Sequence, residues 1–242
     1  MTARSNAPRA RRAIYVAACF AAIALLAIAV YEGLRSQPLF VEYDLATPRQ
    51  APVVAVLVSG DMGLGAGMGH RIVERLQRAG VPTLGINTPA FFMHHRDADA
   101  IGRLVEQAVQ RSLAAHPEAR LILVGQSFGA DVLPAGVNRL SPDLKRRLQL
   151  VALIVPTRTA YYRISLAEFF GSGTPDARAA DEASAIREVP LLCVQGALEA
   201  DSLCPQLQGP NVRRVALPGG HMLHHDADRL FAVLEATMSN AA

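Results

Sequence analysis

The sequence predicts an α/β protein in which helices cover both faces of a mostly parallel central sheet. Val53–Val58 is an unbroken run of six apolar residues, which is typical of a strand covered on both faces. Apolar runs of strand length then alternate with amphipathic helical patterns. A serine between two glycines, at residues 125–129, lies where one such strand meets a helix. These three observations together predict the fold class.

The predicted elements alternate from residue 40 to residue 238. The strands are short runs rich in aliphatic and β-branched residues: Phe40–Leu45, Val53–Val58, Val81–Ile86, Leu121–Gly125, Val151–Val155, Leu191–Val194 and Val212–Leu217. The helices repeat apolar residues every three or four positions: His70–Ala79, Asp97–His116, Ala130–Leu140, Pro142–Leu148 and Asp226–Met238. Pro156–Val189 has no clear periodicity, and we expect it to form a small cap or insertion over the site.

The N-terminus has the charge and hydropathy pattern of a targeting segment. Four arginines precede Ala13–Tyr31, a run of nineteen uncharged residues. A helix of that length would be about 28 Å long, close to a bilayer core. Basic residues before it favour a cytoplasmic N-terminus and an exported domain. We therefore expect a signal-anchor or cleaved signal peptide at 1–31, a linker and edge strand at 32–50, and the main domain at 51–242.

The charge balance outside this segment argues against nucleic acid as a partner. Twenty basic and 21 acidic residues remain beyond residue 31, so the net charge of +3 comes from the N-terminus. No basic stripe with interleaved aromatic residues is present. The H-E-x-x-H, paired C-x-x-C, Walker A and G-x-G-x-x-G spacings are also absent, so the sequence predicts no metal, nucleotide or other cofactor.

Gly125-Gln-Ser-Phe-Gly129 is a G-x-S-x-G motif in the strand–turn–helix setting of an α/β-hydrolase nucleophile. A serine hydroxyl near neutral pH needs a base, and in this fold the chain order is serine, acid, histidine. His221 follows the last predicted strand and is the predicted base of Ser127. His224 and His225 are its rivals, although they fall nearer to the closing helix.

The acid and the oxyanion donors are predicted from the remaining strand ends. Asp201 and Glu199 both follow the strand Leu191–Val194, and Asp201 is preferred. The oxyanion donors are predicted to be the backbone N–H of Phe128 and that of Asp61 or Met62, in the glycine-rich loop after Val53–Val58.

Three cysteines are present, and one of them, Cys19, lies in the N-terminal apolar segment. Cys193 and Cys204 fall in the part of the chain that we expect to be exported, where disulfides persist. We therefore predict a Cys193–Cys204 bridge that braces the acid loop.

Several blocks of the sequence resemble the bacterial virulence proteins VirJ and AcvB. They are Gly125-Gln-Ser-Phe-Gly-Ala-Asp-Val-Leu-Pro134, Asn138-Arg-Leu140, Leu192-Cys-Val-Gln-Gly196, Asp201-Ser-Leu-Cys-Pro205 and Leu217-Pro-Gly-Gly-His221, in the family's order. The resemblance covers Val53 to the C-terminus. The chain departs from the family pattern at Met62 and Leu64, where the family has Gly and Trp, and at Met222, where it often has His; these positions border the expected pocket.

The resemblance implies a periplasmic α/β-hydrolase in which Ser127, His221 and Asp201 are nucleophile, base and acid. AcvB-type members are implied to hydrolyse aminoacyl-phosphatidylglycerol such as lysyl-phosphatidylglycerol, and VirJ-type members are linked to type IV secretion. On such a substrate, Asp131 and Asp61 would attract the ammonium group. The expected partners are a phospholipid or other ester substrate, the inner membrane through residues 13–31, and secretion-system proteins.

Two other functions remain open from the sequence. One is a general periplasmic carboxylesterase or thioesterase. The other is a non-catalytic VirJ-like accessory or binding protein for type IV secretion, which would keep the fold and use it for partner contact.

Overall fold

Strands and helices alternate in the computed structural model as the sequence predicts. The structure describes residues 7–46, 51–65, 67–165 and 173–240. The central strands are β1 (Phe40–Tyr43), β2 (Val53–Val58), β3 (Thr83–Ile86), β4 (Arg120–Gln126), β5 (Leu148–Ile154), β8 (Leu191–Gly196) and β9 (Val212–Leu217). The helices are α1 (Ala7–Arg35), α2 (Gly67–Arg78), α3 (Thr88–Phe92), α4 (Ala98–Ala115), α5 (Phe128–Asn138), α6 (Pro142–Arg147), α7 (Ala179–Ser184) and α8 (Ala227–Asn240). A small hairpin pairs β6 (Thr159–Ala160) with β7 (Ala177–Arg178).

The central strands form one seven-stranded sheet. Its strand order is β1-β3-β2-β4-β5-β8-β9; β1 is antiparallel to β3, and all other neighbours are parallel. The predicted mostly parallel sheet is thus confirmed. The carboxyl ends of its parallel strands meet at one edge, where this class of sheet carries its ligands.

Two hydrophobic cores lie on the two faces of the sheet, because side chains alternate along each strand. Val54, Val56 and Val58 of β2 point into the core shared with α4, α5 and α7. Ala55 and Leu57 point into the core shared with α2 and α8. The unbroken apolar run of β2 is explained by this arrangement, since neither face of the strand meets water.

Several boundaries and one segment differ from the prediction. Helix α5 begins at Phe128, immediately after Ser127, rather than at residue 130, and β5 begins at Leu148 rather than at residue 151. Helix α2 begins at Gly67 rather than at His70, so its first turn includes residues that were predicted to belong to the glycine-rich loop after β2. The described part of the segment 156–189 forms the β6–β7 hairpin and α7, whose alanines pack in the core beside α5. Residues 166–172 of the predicted cap, 47–50 of the linker and 1–6 lie outside the described residues.

The chain divides into two compact units, residues 1–37 and residues 38–242. The first contains α1, on which the predicted segment 13–31 falls. Its exposed apolar side chains are Tyr15, Val16, Phe20, Ile23, Leu25, Leu26, Ile28 and Val30. Within the described residues, no helix meets the length and hydropathy required to cross a membrane.

Candidate active site

Ser127 occupies a sharp turn between β4 and α5. Its φ of 53° is in the left-handed region, which is uncommon for a residue with a side chain. The backbone can bend so tightly because Gly129 has no side chain; one there would collide with the carbonyl oxygens of Val58 and Ser59. The Ser127 N–H donates to the Ile154 carbonyl at 2.9 Å, which fixes the turn to β5. The hydroxyl therefore projects at the carboxyl edge of the sheet, as the motif predicts.

His221 lies beside this hydroxyl. Its Nε2 is 2.8 Å from Ser127 Oγ, although the two residues are 94 positions apart. The loop that carries His221 passes close to the end of β8, because Gly196 has no side chain to obstruct Gly219 and Gly220. The predicted pairing of Ser127 with His221 is thus present in the structure, whereas His225 accepts a hydrogen bond from Arg71 through its carbonyl oxygen.

Glu199, and not the preferred Asp201, contacts the other imidazole nitrogen. Glu199 Oε1 is 2.5 Å from His221 Nδ1, and its side chain is only 7% exposed. Asp201 instead accepts a hydrogen bond from Arg158 Nε at 2.7 Å, and its side chain is 60% exposed. The preference for Asp201 is therefore corrected to Glu199.

The reason is the tight turn that follows β8. The Glu199 N–H donates to the Gly196 carbonyl at 3.1 Å, and the Gly196 N–H donates to Glu199 Oε2 at 3.2 Å. This turn returns the side chain at position 199 to the strand end, beside the histidine loop, whereas position 201 lies farther out in solvent.

The carboxylate next to it raises the pKa of His221 above its ordinary value. The hydrogen bond with Glu199 is the largest cause; burial opposes it, and the charges of Glu199 and Asp61 add to it. The imidazole is consequently a stronger base than free histidine. A histidine held by a carboxylate on one nitrogen and by a serine hydroxyl on the other can accept the serine proton.

Asn87 and Thr88, which the sequence analysis did not single out, hold the loop after β2 in place. Thr88 Oγ1 donates to the Gly60 carbonyl at 2.5 Å, and the Leu64 N–H donates to Asn87 Oδ1 at 2.9 Å. The amide nitrogen of Asn87 donates to the Pro38 carbonyl at 2.7 Å. The sequence feature that could have identified Asn87 and Thr88 is their position directly after β3, at the carboxyl edge of the sheet.

The predicted oxyanion donors lie on elements that surround Ser127. Phe128 is the first residue of α5 and directly follows the nucleophile. Asp61 is close enough to His221 for its charge to raise the pKa of the imidazole, and Met62 follows it with its side chain exposed. The role of their N–H groups as oxyanion donors remains a prediction.

Asp131 does not present a free carboxylate to a substrate. It is only 8% exposed, and it accepts the Thr157 N–H at 2.6 Å. Burial raises the pKa of Asp131 to about 8. Thr157 Oγ1 lies 3.1 Å from Asp131 Oδ2 and 2.9 Å from the Thr159 carbonyl oxygen. Because Asp131 is buried and both of its oxygens contact Thr157, its predicted attraction of an ammonium group is not supported.

A disulfide closes the loop that carries Glu199. Cys193 in β8 and Cys204 are joined, with their Cα atoms 5.5 Å apart, and the predicted bridge is thereby confirmed. A β-bridge pairs Thr157 with Ser202 inside the same loop, and the Leu203 N–H donates to the Pro156 carbonyl at 3.1 Å. The acid loop is thus fixed to β8 by a covalent bond and to the segment after β5 by hydrogen bonds.

Solved structures of α/β hydrolases share this fold. Est1E from Butyrivibrio proteoclasticus has a TM-score of 0.58 at 14% identity, over 84% of this chain and 92% of its own. The esterase domain of a Rhodothermus marinus protein has a TM-score of 0.54 at 18% identity, over 81% of this chain and 96% of its own. MenH from S. aureus has a TM-score of 0.57 at 11% identity, over 85% of this chain and 99% of its own. The predicted α/β-hydrolase fold is therefore confirmed.

Among curated protein sequences, none matches this chain. A family profile does: the one described as bacterial virulence protein (VirJ) matches residues 52–242, which include the whole sheet from β2 onward and all three residues of the Ser127–His221–Glu199 arrangement. The resemblance found in the sequence blocks is thus confirmed, and the chain belongs to the VirJ family of bacterial virulence proteins.

Proposed function

We propose that this protein is a serine hydrolase that cleaves the ester bond of aminoacyl-phosphatidylglycerol. The observation that carries the proposal is the continuous chain of contacts from Ser127 Oγ through His221 to Glu199, at 2.8 and 2.5 Å. Such an arrangement activates a hydroxyl for acyl transfer. The buried position of Glu199 strengthens its effect on the imidazole, since water does not screen it.

The proposed reaction has two steps. Ser127 Oγ attacks the ester carbonyl while His221 Nε2 takes the serine proton and Glu199 stabilises the imidazolium. His221 then gives this proton to the departing glycerol oxygen, which leaves the aminoacyl group on Ser127. A water molecule, deprotonated by His221, attacks the acyl-enzyme and releases the amino acid, and the proton returns to Ser127.

The family resemblance and one carboxylate in the site support the proposal of an aminoacyl substrate. An aminoacyl ester carries an ammonium group one carbon from the carbonyl that Ser127 would attack. Asp61 is partly exposed and close enough to His221 to affect its pKa, so its carboxylate can pair with that ammonium group. Asp131 is excluded from this role by its burial.

We further propose that the domain acts in the periplasm and that residues 13–31 anchor it in the inner membrane. The disulfide supports an oxidising compartment, because such bonds are rare in the bacterial cytoplasm. The basic start of the chain supports an exported domain after the apolar segment.

A serine-directed fluorophosphonate tests the catalytic part of the proposal. We expect the purified full-length protein to be labelled and Ser127→Ala to lose the label. Ser184→Ala, at an exposed serine of α7, is the matched control and should keep it. Folded protein without label would point instead to a binding or secretion-accessory protein.

The substrate is tested on vesicles that contain lysyl-phosphatidylglycerol. Release of lysine by the wild type, and its loss in Ser127→Ala, would support the proposed ester. Hydrolysis of simple esters without release of lysine would instead indicate a general carboxylesterase or thioesterase. A deletion strain should accumulate aminoacyl lipids; an unchanged lipid profile would argue against this substrate.

A further inference from the structure

Three large apolar side chains are exposed at the candidate site. Met62 is 55% exposed, Leu198 is 80% exposed and Met222 is 45% exposed. Within the described part of the domain from residue 38 onward, no other large apolar side chain is exposed to this degree. Isolated exposed apolar residues are ordinary on protein surfaces. Here, however, all three lie on loops that carry functional groups, and we call this set the apolar rim.

The three loops of the apolar rim meet around His221. Met222 follows the imidazole directly in sequence. The Leu198 N–H donates to the Gly219 carbonyl at 2.9 Å, which joins the acid loop to the histidine loop. Met62 follows Asp61, whose charge acts on His221. The apolar rim therefore lies on the same loops that carry Asp61, Glu199 and His221, beside the reacting serine, and does not belong to a separate surface.

The chain also joins the domain at this edge of the sheet. Because β1 is antiparallel to β3, its first residue, Phe40, pairs with Ile86, the last residue of β3. The Pro38 carbonyl is bound there by Asn87. The domain from residue 38 onward therefore begins at the edge of the sheet that carries the site.

We propose that the apolar rim inserts into the surface of a lipid layer and brings Ser127 to the ester groups of lipids that remain in that layer. This inference rests on the proposed function and names the physical form of its substrate. A protein seated on all three loops would cover the serine, whereas a lipid layer both covers the apolar rim and supplies the ester. Two of the three side chains are unbranched methionines, which adapt their shape to irregular apolar surroundings.

The test uses a fluorescent reporter in the apolar rim. The sequence contains no tryptophan, so Leu198→Trp gives a signal from this position alone. The full-length variant is reconstituted into vesicles of phosphatidylethanolamine and phosphatidylglycerol. We expect its emission maximum to lie at shorter wavelength than that of free tryptophan in buffer, and we expect quenching by lipids with brominated acyl chains.

The matched control is Glu188→Trp, at an exposed position just before β8 and therefore at the opposite edge of the sheet. Its emission should remain that of a water-exposed indole. Emission from Leu198→Trp that equals this control, or equal quenching of both reporters, would overturn the proposal.

Fluorophosphonate labelling of the same samples separates this proposal from the proposed function. If the Leu198→Trp protein takes the label while its indole emission stays water-like, lipid insertion is overturned and the serine hydrolase is left intact. Lipid-inserted protein that takes no label would support insertion and remove the catalytic proposal on which the substrate claim depends.

Discussion

Glu199 and Asp201, two positions apart on one loop, serve different partners: Glu199 contacts His221 and Asp201 pairs with Arg158. We expect Glu199→Gln to lower kcat by roughly 10²- to 10⁴-fold, because the imidazolium formed in the reaction loses its counter-charge. Asp201→Asn should retain kcat within about twofold, since it breaks only an exposed ion pair. Initial rates on a water-soluble p-nitrophenyl ester measure both. A larger loss in Asp201→Asn would show that the acid was assigned to the wrong carboxylate.

The pH profile should report the raised pKa of His221. Only the neutral imidazole can take the serine proton, so the rate falls as the pH drops below its pKa. Because Glu199 raises the pKa of His221, the acidic limb of kcat/KM in the wild type should lie above the ordinary histidine value of about 6.5. In Glu199→Gln the largest cause of that rise is removed, and the residual activity should titrate at lower pH. If the acidic limbs of the kcat/KM profiles lie at the same pH in the wild type and in Glu199→Gln, this explanation is contradicted.

Asn87 should affect turnover through the loop after β2. Asn87→Ala removes the acceptor of the Leu64 N–H and the donor to Pro38, and we expect the free energy of unfolding to fall by about 1–3 kcal/mol. The predicted oxyanion donors lie on that loop, so kcat should fall by roughly 10- to 100-fold with little change in KM.

Asn211→Ala is the control for this variant. Its side chain donates to the carbonyls of Ile186 and Val189, remote from the catalytic loops. It should be destabilised to a similar degree and keep its kcat. Equal kcat losses in both variants would mean that Asn87 acts only through stability.

The buried Asp131 should make stability depend on pH. Its folded pKa of about 8 exceeds the unfolded value near 3.9, so the folded state holds more protons between these values. This contribution to stability is complete below about pH 4, and it declines as the pH rises toward 8, by at most about 1.4 kcal/mol per pH unit. Asp131→Asn can keep both contacts with Thr157 but does not titrate, so its free energy of unfolding should depend less on pH. Urea denaturation of both proteins at several pH values tests this; parallel curves would refute it.

The disulfide should stabilise the fold and also position the acid. Reduction of the Cys193–Cys204 disulfide should lower the free energy of unfolding by about 3 kcal/mol, because the bond closes a short loop and restricts the unfolded chain. Reduction should also lower kcat, because Glu199 lies inside that loop. Urea titrations and rates with and without dithiothreitol measure the two effects. Cys19→Ser, which leaves the bridge untouched, should behave as the wild type; full activity of the reduced protein would contradict the positioning role.

The sheet and the two central residues of the site were predictable because their signals are local. An unbroken apolar run identifies β2, and the glycines around Ser127 identify the turn. Asp201 and Glu199 could not be separated in the same way, since both follow β8 and only the turn closed by Gly196 decides between them. The burial of Asp131 likewise depends on Thr157, a residue that reaches it from another strand end.

The direction of β1 determines at which edge of the sheet the domain from residue 38 onward begins. A parallel first strand would have delivered the chain to the amino ends of the sheet, on the order of 20 Å away across a strand of ordinary length. The antiparallel strand instead places Phe40, near the start of the domain, at the carboxyl edge of the sheet where Ser127 lies. Reversing these four residues would move the start of the domain to the opposite edge and leave Ser127, His221 and Glu199 where they are.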